Sequence, residues 1–195
     1  MKLFYSKTSP YSRKVYILAK SLGMGGEIEL IYDNPLEDSA ALLAANPLAK
    51  VPALVMGDKT IFDSPLIADH FLRLAGQGGR DDAYFETLNV QALADGMMAA
   101  AVALRMESVR PEAQQSAMWQ KRWYAAIDRG LGVLETTIIK DLKGWKLDSI
   151  AVACMLDYLC FRLPEIDWKA ARPETAIWFE GALARMDMKN TDPRL

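Results

Sequence analysis

Three short stretches hold residue types that can bind and position a small anionic or sulfur-bearing group. Ser9-Pro10-Tyr11-Ser12 has the spacing of a C-P-Y-C thiol redox motif, with serine in place of each cysteine. Ser64-Pro65, preceded by Asp63, repeats the serine–proline pair. Serine caps open backbone N–H groups and proline suits the first helical position, so both pairs predict helix starts. Unsatisfied N–H groups and the helix dipole make such a start favourable for negative charge. The third stretch is Val51-Pro52, a proline entering a strand-like run. If that bond is cis, Val51 presents its backbone to an extended ligand as a neighbouring strand would. Taken singly, each has a plain reading as well: two caps and a trans proline.

Other chemistries find little material. His70 is the only histidine, so no triad and no multi-histidine metal site is expected. Cys154 and Cys160 stand six apart in one apolar helix-like segment, which is neither a zinc nor a redox spacing. Two cysteines make no disulfide framework, and a reducing, cytoplasmic setting is expected. The formal net charge is −2 with no basic stripe, which argues against nucleic acid as a partner. The apolar runs Met97–Leu104 and Ile150–Leu156 are short for a membrane span, and no secretory signal is expected.

The elements that must position the three stretches follow from periodicity. Lys2–Ser6 reads as a strand, Pro10–Leu22 as a helix and Glu27–Tyr32 as a strand. Glu37–Ala45 reads as a helix stopped by Asn46-Pro47. Pro52–Met56 and Thr60–Phe62 flank the hairpin signal Gly57-Asp58-Lys59, and Ser64–Ala75 reads as a helix. The order is βαβαββα. After the glycine-rich stretch 76–82 the pattern turns helical, with segments Ala83–Arg110, Ser116–Lys140, Asp148–Arg162 and Pro173–Asp187. An α/β domain over 1–75, a linker over 76–82 and an all-helical domain over 83–195 are expected. With 51% hydrophobic residues the chain has material for both cores.

The constellation of S-P-Y-S, V-P and D-S-P in βαβαββα order resembles the cytosolic glutathione S-transferases, of the bacterial serine or cysteine kind. "YSKTSPYSRKV", "NPLAKVPAL" and "IFDSPLIADHFL" match their thioredoxin-like first domain. The helical part matches in layout and length, and "RPETAIWFEGALARMDMKNTDP" is similar to the usual ending.

The resemblance implies glutathione as co-substrate, no metal, a small electrophilic and mainly apolar second substrate, and a homodimer. It makes Ser9 the catalytic residue, donating a hydrogen bond that holds the bound thiol as thiolate. The magnitudes agree: moving a thiol pKa of about 8.5 down by roughly two units needs about 2.7 kcal/mol. A hydrogen bond to a charged group supplies about 1.5–3 kcal/mol and a helix N-terminus about 0.3–1 kcal/mol. Tyr5, at the end of the first strand, is the alternative, as in the tyrosine-type branch. Val51 matches the position whose main chain pairs with the cysteinyl unit, beside Pro52 as the expected cis proline. Ser64 matches the holder of the γ-glutamyl carboxylate, with Asp63 at the amine or the turn. Lys50 stands where it meets the glycyl carboxylate.

Tyr11 is placed to wall the electrophile pocket. Arg13 opposes the helix dipole and calls for a local partner, so structural pairing is expected of it. Asp95-Gly96 resembles a pair that reaches the partner subunit's glutathione in some dimeric members. Where the family starts its sixth helix with a Ser/Thr-x-x-Asp capping box, this chain has Lys146 and Ser149, so the box is expected to be absent. Conjugation is the reaction implied; peroxide reduction, dehalogenation and non-catalytic ligand binding are the alternatives on the same fold.

Overall fold

In the computed structural model, which describes residues 1–195, four short strands form one mixed sheet. They are β1 (Lys2–Tyr5), β2 (Glu29–Tyr32), β3 (Ala53–Met56) and β4 (Lys59–Ile61), in the order β2-β1-β3-β4. β1 and β2 are parallel, with Tyr5 opposite Tyr32, and α1 (Pro10–Ser21) makes the crossover a parallel pair requires. β3 runs antiparallel to β1, with Phe4 opposite Ala53, and turns back into β4 through Gly57, whose φ is +63°.

Strand alternation sends side chains to two faces. Leu3, Tyr5 and Leu54 meet Val15 and Ala19 of α1 and Ile67 and Phe71 of α3 (Ser64–Leu74). Phe4 and Ala53 meet Leu42 and Ala45 of α2 (Ala40–Ala45) on the other face. This is a thioredoxin-like α/β unit.

Five helices follow: α4 (Asp82–Ser108), α5 (Ala117–Val133), α6 (Leu147–Arg162), α7 (Pro173–Leu183) and α8 (Met186–Lys189). A π turn, Leu134–Ile138, and a 3₁₀ turn, Ile139–Asp141, prolong α5. α6 is buried at every position from Leu147 to Leu159, including Asp148, Ser149 and Asp157. It packs between α4 and α1. Gly130 of α5 lets α4 come close, since a Cβ there would lie 2.4 Å from Met97 Sδ. Ile17 and Leu18 of α1, with Ala68 and Leu72 of α3, join the core of the helical part. α1 therefore has one face on the sheet and another on α6.

Several expectations shift. The second helix starts at Ala40 rather than Glu37, because Ser39 Oγ caps the Leu42 N–H at 3.1 Å and Asp38 has φ +47°. Gly25–Glu27 is a 3₁₀ turn and β2 begins at Glu29. α4 is one continuous helix. By length and composition it could cross a membrane, although the apolar runs in it are short; here Met97, Met98, Ala101 and Leu104 are buried in the helical core. The last predicted helix breaks after Leu183, and α8 is a separate turn. Half of the capping box at α6 is present after all: Ser149 Oγ accepts from the Lys146 N–H at 2.9 Å. A lysine cannot return the bond, and Asp148 instead accepts from the Ser149 N–H at 2.6 Å.

Candidate functional site

The sheet topology gathers the three stretches. β3 is antiparallel to both β1 and β4, so the end of β1, the start of β3 and the end of β4 share one edge. Ser9 follows β1, Val51-Pro52 precedes β3, and Asp63-Ser64 follows β4.

Ser9 is the N-cap of α1. Its backbone is extended, its side chain is half-buried, and its Oγ accepts from the Ser12 N–H at 3.2 Å. The hydroxyl oxygen is thus used as acceptor while its own O–H donates to nothing within the chain. An accepted hydrogen bond also polarises the O–H and makes it a better donor. Ser12 itself is fully buried, with no partner for its Oγ.

Lys50 is exposed, and its carbonyl accepts from Asn46 Nδ2 at 2.8 Å. That bond shapes the turn into Val51-Pro52, whose peptide is cis. The β1–β3 ladder begins at Ala53, so Val51 lies outside it. Asp63, the N-cap of α3, makes no side-chain capping bond and is exposed, while Ser64 is buried at the first helical position. The N-terminal donors of α3 are therefore not capped by Asp63.

Arg13 and Lys14 are both buried and both reach into the helical part. The Arg13 guanidinium pairs with Asp157 of α6, donates to Thr191 Oγ1 at 3.0 Å and to the Met188 carbonyl at 2.8 Å. Arg194 holds the other oxygen of Asp157 at 2.9 Å. Lys14 Nζ donates to both oxygens of Asp95 on α4, at 2.7 and 2.6 Å. Burial pulls the Lys14 pKa down, and Asp95 opposes that shift. Asp95 thus pairs within its own chain, and its carbonyl also accepts from the Tyr11 hydroxyl at 3.3 Å. Burial raises the Tyr11 pKa.

Tyr5 is a core residue, 4% exposed, packed edge-on against Tyr16 and Tyr32. Burial pushes its hydroxyl pKa up, which opposes a phenolate. Cys154 lines the same narrow crevice as Ser9 and Tyr158, and burial raises its thiol pKa to about 12. His70 is half-buried with Nε2 enclosed and unpartnered. A larger cavity of about 340 Å³ lies between α6, α7 and the C-terminal segment, and Arg13 is the only predicted site residue on its wall. Sequence reasoning did not find Lys14, Asp157 or Tyr158. Two consecutive cations, Arg13 closing the first turn of α1 and Lys14 opening the second, were the one visible signal, but their partners stand 144 and 81 residues away.

The comparisons agree with this architecture. The glutathione S-transferase N-terminal domain family matches residues 8–74. The uncharacterized GST-like protein YibF of Escherichia coli (strain K12) is 35% identical over 201 aligned positions, covering 99% of this chain and 98% of that one. A glutathione transferase family member from Pseudomonas fluorescens Pf-5, solved with bound glutathione, is 33% identical with TM-score 0.92, over 100% of this chain and 99% of that one. A structure from the same organism with bound S-(propanoic acid)-glutathione is 32% identical with TM-score 0.87, over 100% of both chains. A glutathione S-transferase from Methylobacillus flagellatus KT with GSH bound is 30% identical with TM-score 0.90, over 98% of both. On these grounds, and with the sheet and helices laid out as above, the chain belongs to the glutathione S-transferase family.

Proposed function

We propose that the protein is a glutathione transferase of the serine type, acting in the cytoplasm on small electrophiles. The observation that carries this is the geometry of Ser9. Its oxygen is occupied by the Ser12 N–H, and its proton is free to be donated to a ligand sulfur at the N-terminus of α1. The thiol proton leaves to solvent, and Ser9 with the helix dipole stabilises the thiolate that remains. Val51 pairs through its main chain with the cysteinyl unit, beside Pro52. Ser64 and the N-terminus of α3 take the γ-glutamyl carboxylate, Asp63 its amine, and Lys50 the glycyl carboxylate. Tyr11 walls the adjoining electrophile site. Relatives solved with glutathione at 30–33% identity support the ligand. No group of three or more His, Cys, Asp or Glu is placed to hold a metal, and none has a role in this reading.

The working form in this reading is a homodimer. Leu48, Leu66 and Phe85 expose 63%, 53% and 59% of their surface, apolar area that a second copy would cover.

The test is an ultraviolet titration of bound glutathione thiolate. Wild type should show a pKa below the free value of about 8.5 by roughly two units. Ser9→Ala should return about 1–2 of them, the worth of one hydrogen bond to a charged group. Equal titrations in the two proteins would remove Ser9 from the role.

A further inference from the structure

The cavity of about 340 Å³ has no part in the reading above, yet its size is that of a small-molecule site. α1, α6, α7, α8 and the C-terminal segment wall it, and only Arg13 lines both it and the crevice at Ser9. Phe179, Leu183 and Met188 give it an apolar side. Four cations, Arg13, Lys169, Lys189 and Arg194, share its wall with two carboxylates, Asp157 and Asp192.

Both carboxylates already face guanidiniums. Arg13 and Arg194 take one oxygen each of Asp157, and Arg194 also holds Asp192 at 2.8 Å. Lys169 turns away to the exposed Glu180, at 2.7 Å, and Lys189 pairs with no carboxylate. The wall therefore keeps a surplus of positive charge.

The donor count points the same way. An arginine carries five N–H donors and a lysine three. Arg13 is 3% exposed and spends three of its five, on Asp157, Thr191 and the Met188 carbonyl. Arg194 spends two of its side-chain donors, Lys169 one and Lys189 none. A buried N–H gains most from an acceptor, and a wall of open donors suits a head group that only accepts.

We propose that this cavity is a second binding site, for a phosphate monoester of an apolar alcohol. The phosphate oxygens take the open donors of Arg13, Lys189 and Arg194, and the carbon body lies on Phe179, Leu183 and Met188. A phosphate is favoured over a carboxylate because its three terminal oxygens can meet cations that come from separate elements, and arginine pairs with it through two N–H groups at once. The site needs neither glutathione nor Ser9.

Calorimetry with 2-naphthyl phosphate, 2-naphthoate and 2-naphthol in a phosphate-free buffer tests this. Wild type should bind the phosphate at least tenfold tighter than the neutral alcohol, the worth of one charged hydrogen bond, and about threefold tighter than the carboxylate. Lys189→Glu and Lys169→Glu should each weaken the phosphate about tenfold and leave 2-naphthol as in wild type. Lys59→Glu, the same change of charge on the exposed turn into β4, should alter nothing. All three lysines reach solvent, so these variants are expected to fold. Saturating S-hexylglutathione, which fills the Ser9 site in the reading above, should leave phosphate binding intact.

No binding of the phosphate, an alcohol or carboxylate bound as well as the phosphate, equal weakening by Lys59→Glu, or displacement by S-hexylglutathione would each overturn the inference while the transferase reading stands. If S-hexylglutathione itself fails to bind, the transferase reading falls, and the lysine variants still decide the cavity.

Discussion

Replacing Asp95 by asparagine isolates one charge in the contact between α1 and α4. Lys14 is 0% exposed and its ammonium is held by both oxygens of Asp95, which is itself 16% exposed. Breaking one side of a buried pair costs about 3–5 kcal/mol, because the other charge stays behind without a partner. The lysine has an escape, which is to lose its proton on folding. At about pH 7.5, three units below the ordinary 10.5, discharging it costs about 4 kcal/mol, so the loss is capped near that figure. At about 2–4 °C per kcal/mol for a chain this long, the midpoint should fall by roughly 6–16 °C.

The sign of the pH dependence follows. Burial sets the Lys14 pKa below 10.5 in the folded protein, and losing Asp95 lowers it further. Between the folded value and 10.5 the unfolded chain carries the extra proton, so stability rises with pH, by up to about 1.4 kcal/mol per unit. The gap between wild type and Asp95→Asn should therefore narrow from pH 7 to pH 9. Urea unfolding followed by tryptophan fluorescence and by far-ultraviolet dichroism measures this; all five tryptophans lie in the helical part, so the two signals also show whether both parts unfold together. Lys14→Met with Asp95→Leu removes both charges and should come close to wild type. An Asp95→Asn loss under about 1 kcal/mol, unchanged with pH, would mean that Lys14 is not a buried charge.

Arg13→Met should leave Asp157 facing only Arg194 and free the Met188 and Thr191 contacts; the segment 186–195 should exchange amide hydrogens faster, and unchanged protection there would refute the clasp. Ser64→Ala should weaken glutathione binding by about tenfold, one charged hydrogen bond, while leaving the pKa of the bound thiol where it was; a shift of that pKa would place Ser64 at the sulfur instead. Cys154, whose thiol is raised to about 12, and the half-buried Cys160, raised less, should resist a disulfide reagent at pH 8 in the native protein and react in urea; rapid native labelling of Cys154 would contradict its burial.

Local signals in the chain were enough for most of the first domain. Both serine–proline pairs mark helix starts because proline geometry is local, but only Ser9 is the cap; at α3 the N-cap is Asp63 and Ser64 is the first helical residue. A short apolar run placed β1, alternation placed β2, and the glycine turn placed the hairpin of β3 and β4. The expectation failed at Glu37, where a helix-like composition lost to the Ser39 cap and the turned backbone at Asp38. It failed again at Lys146, because the half-box there needs only a serine three residues on, not the family's full pair.

What the sequence by itself determined was the order of elements and the identity of the three segments, which the antiparallel pairing of β3 with β1 and β4 then brings to one sheet edge. What only the tertiary structure decided was where the charges go. Arg13 calls for a partner close by and Lys14 looks like an ordinary first-domain cation, until α6 and α4 bring the distant Asp157 and Asp95 against them. The reason is physical: caps and turns are short-range and legible in neighbours, whereas the state of a charge depends on its burial and on partners far away along the chain.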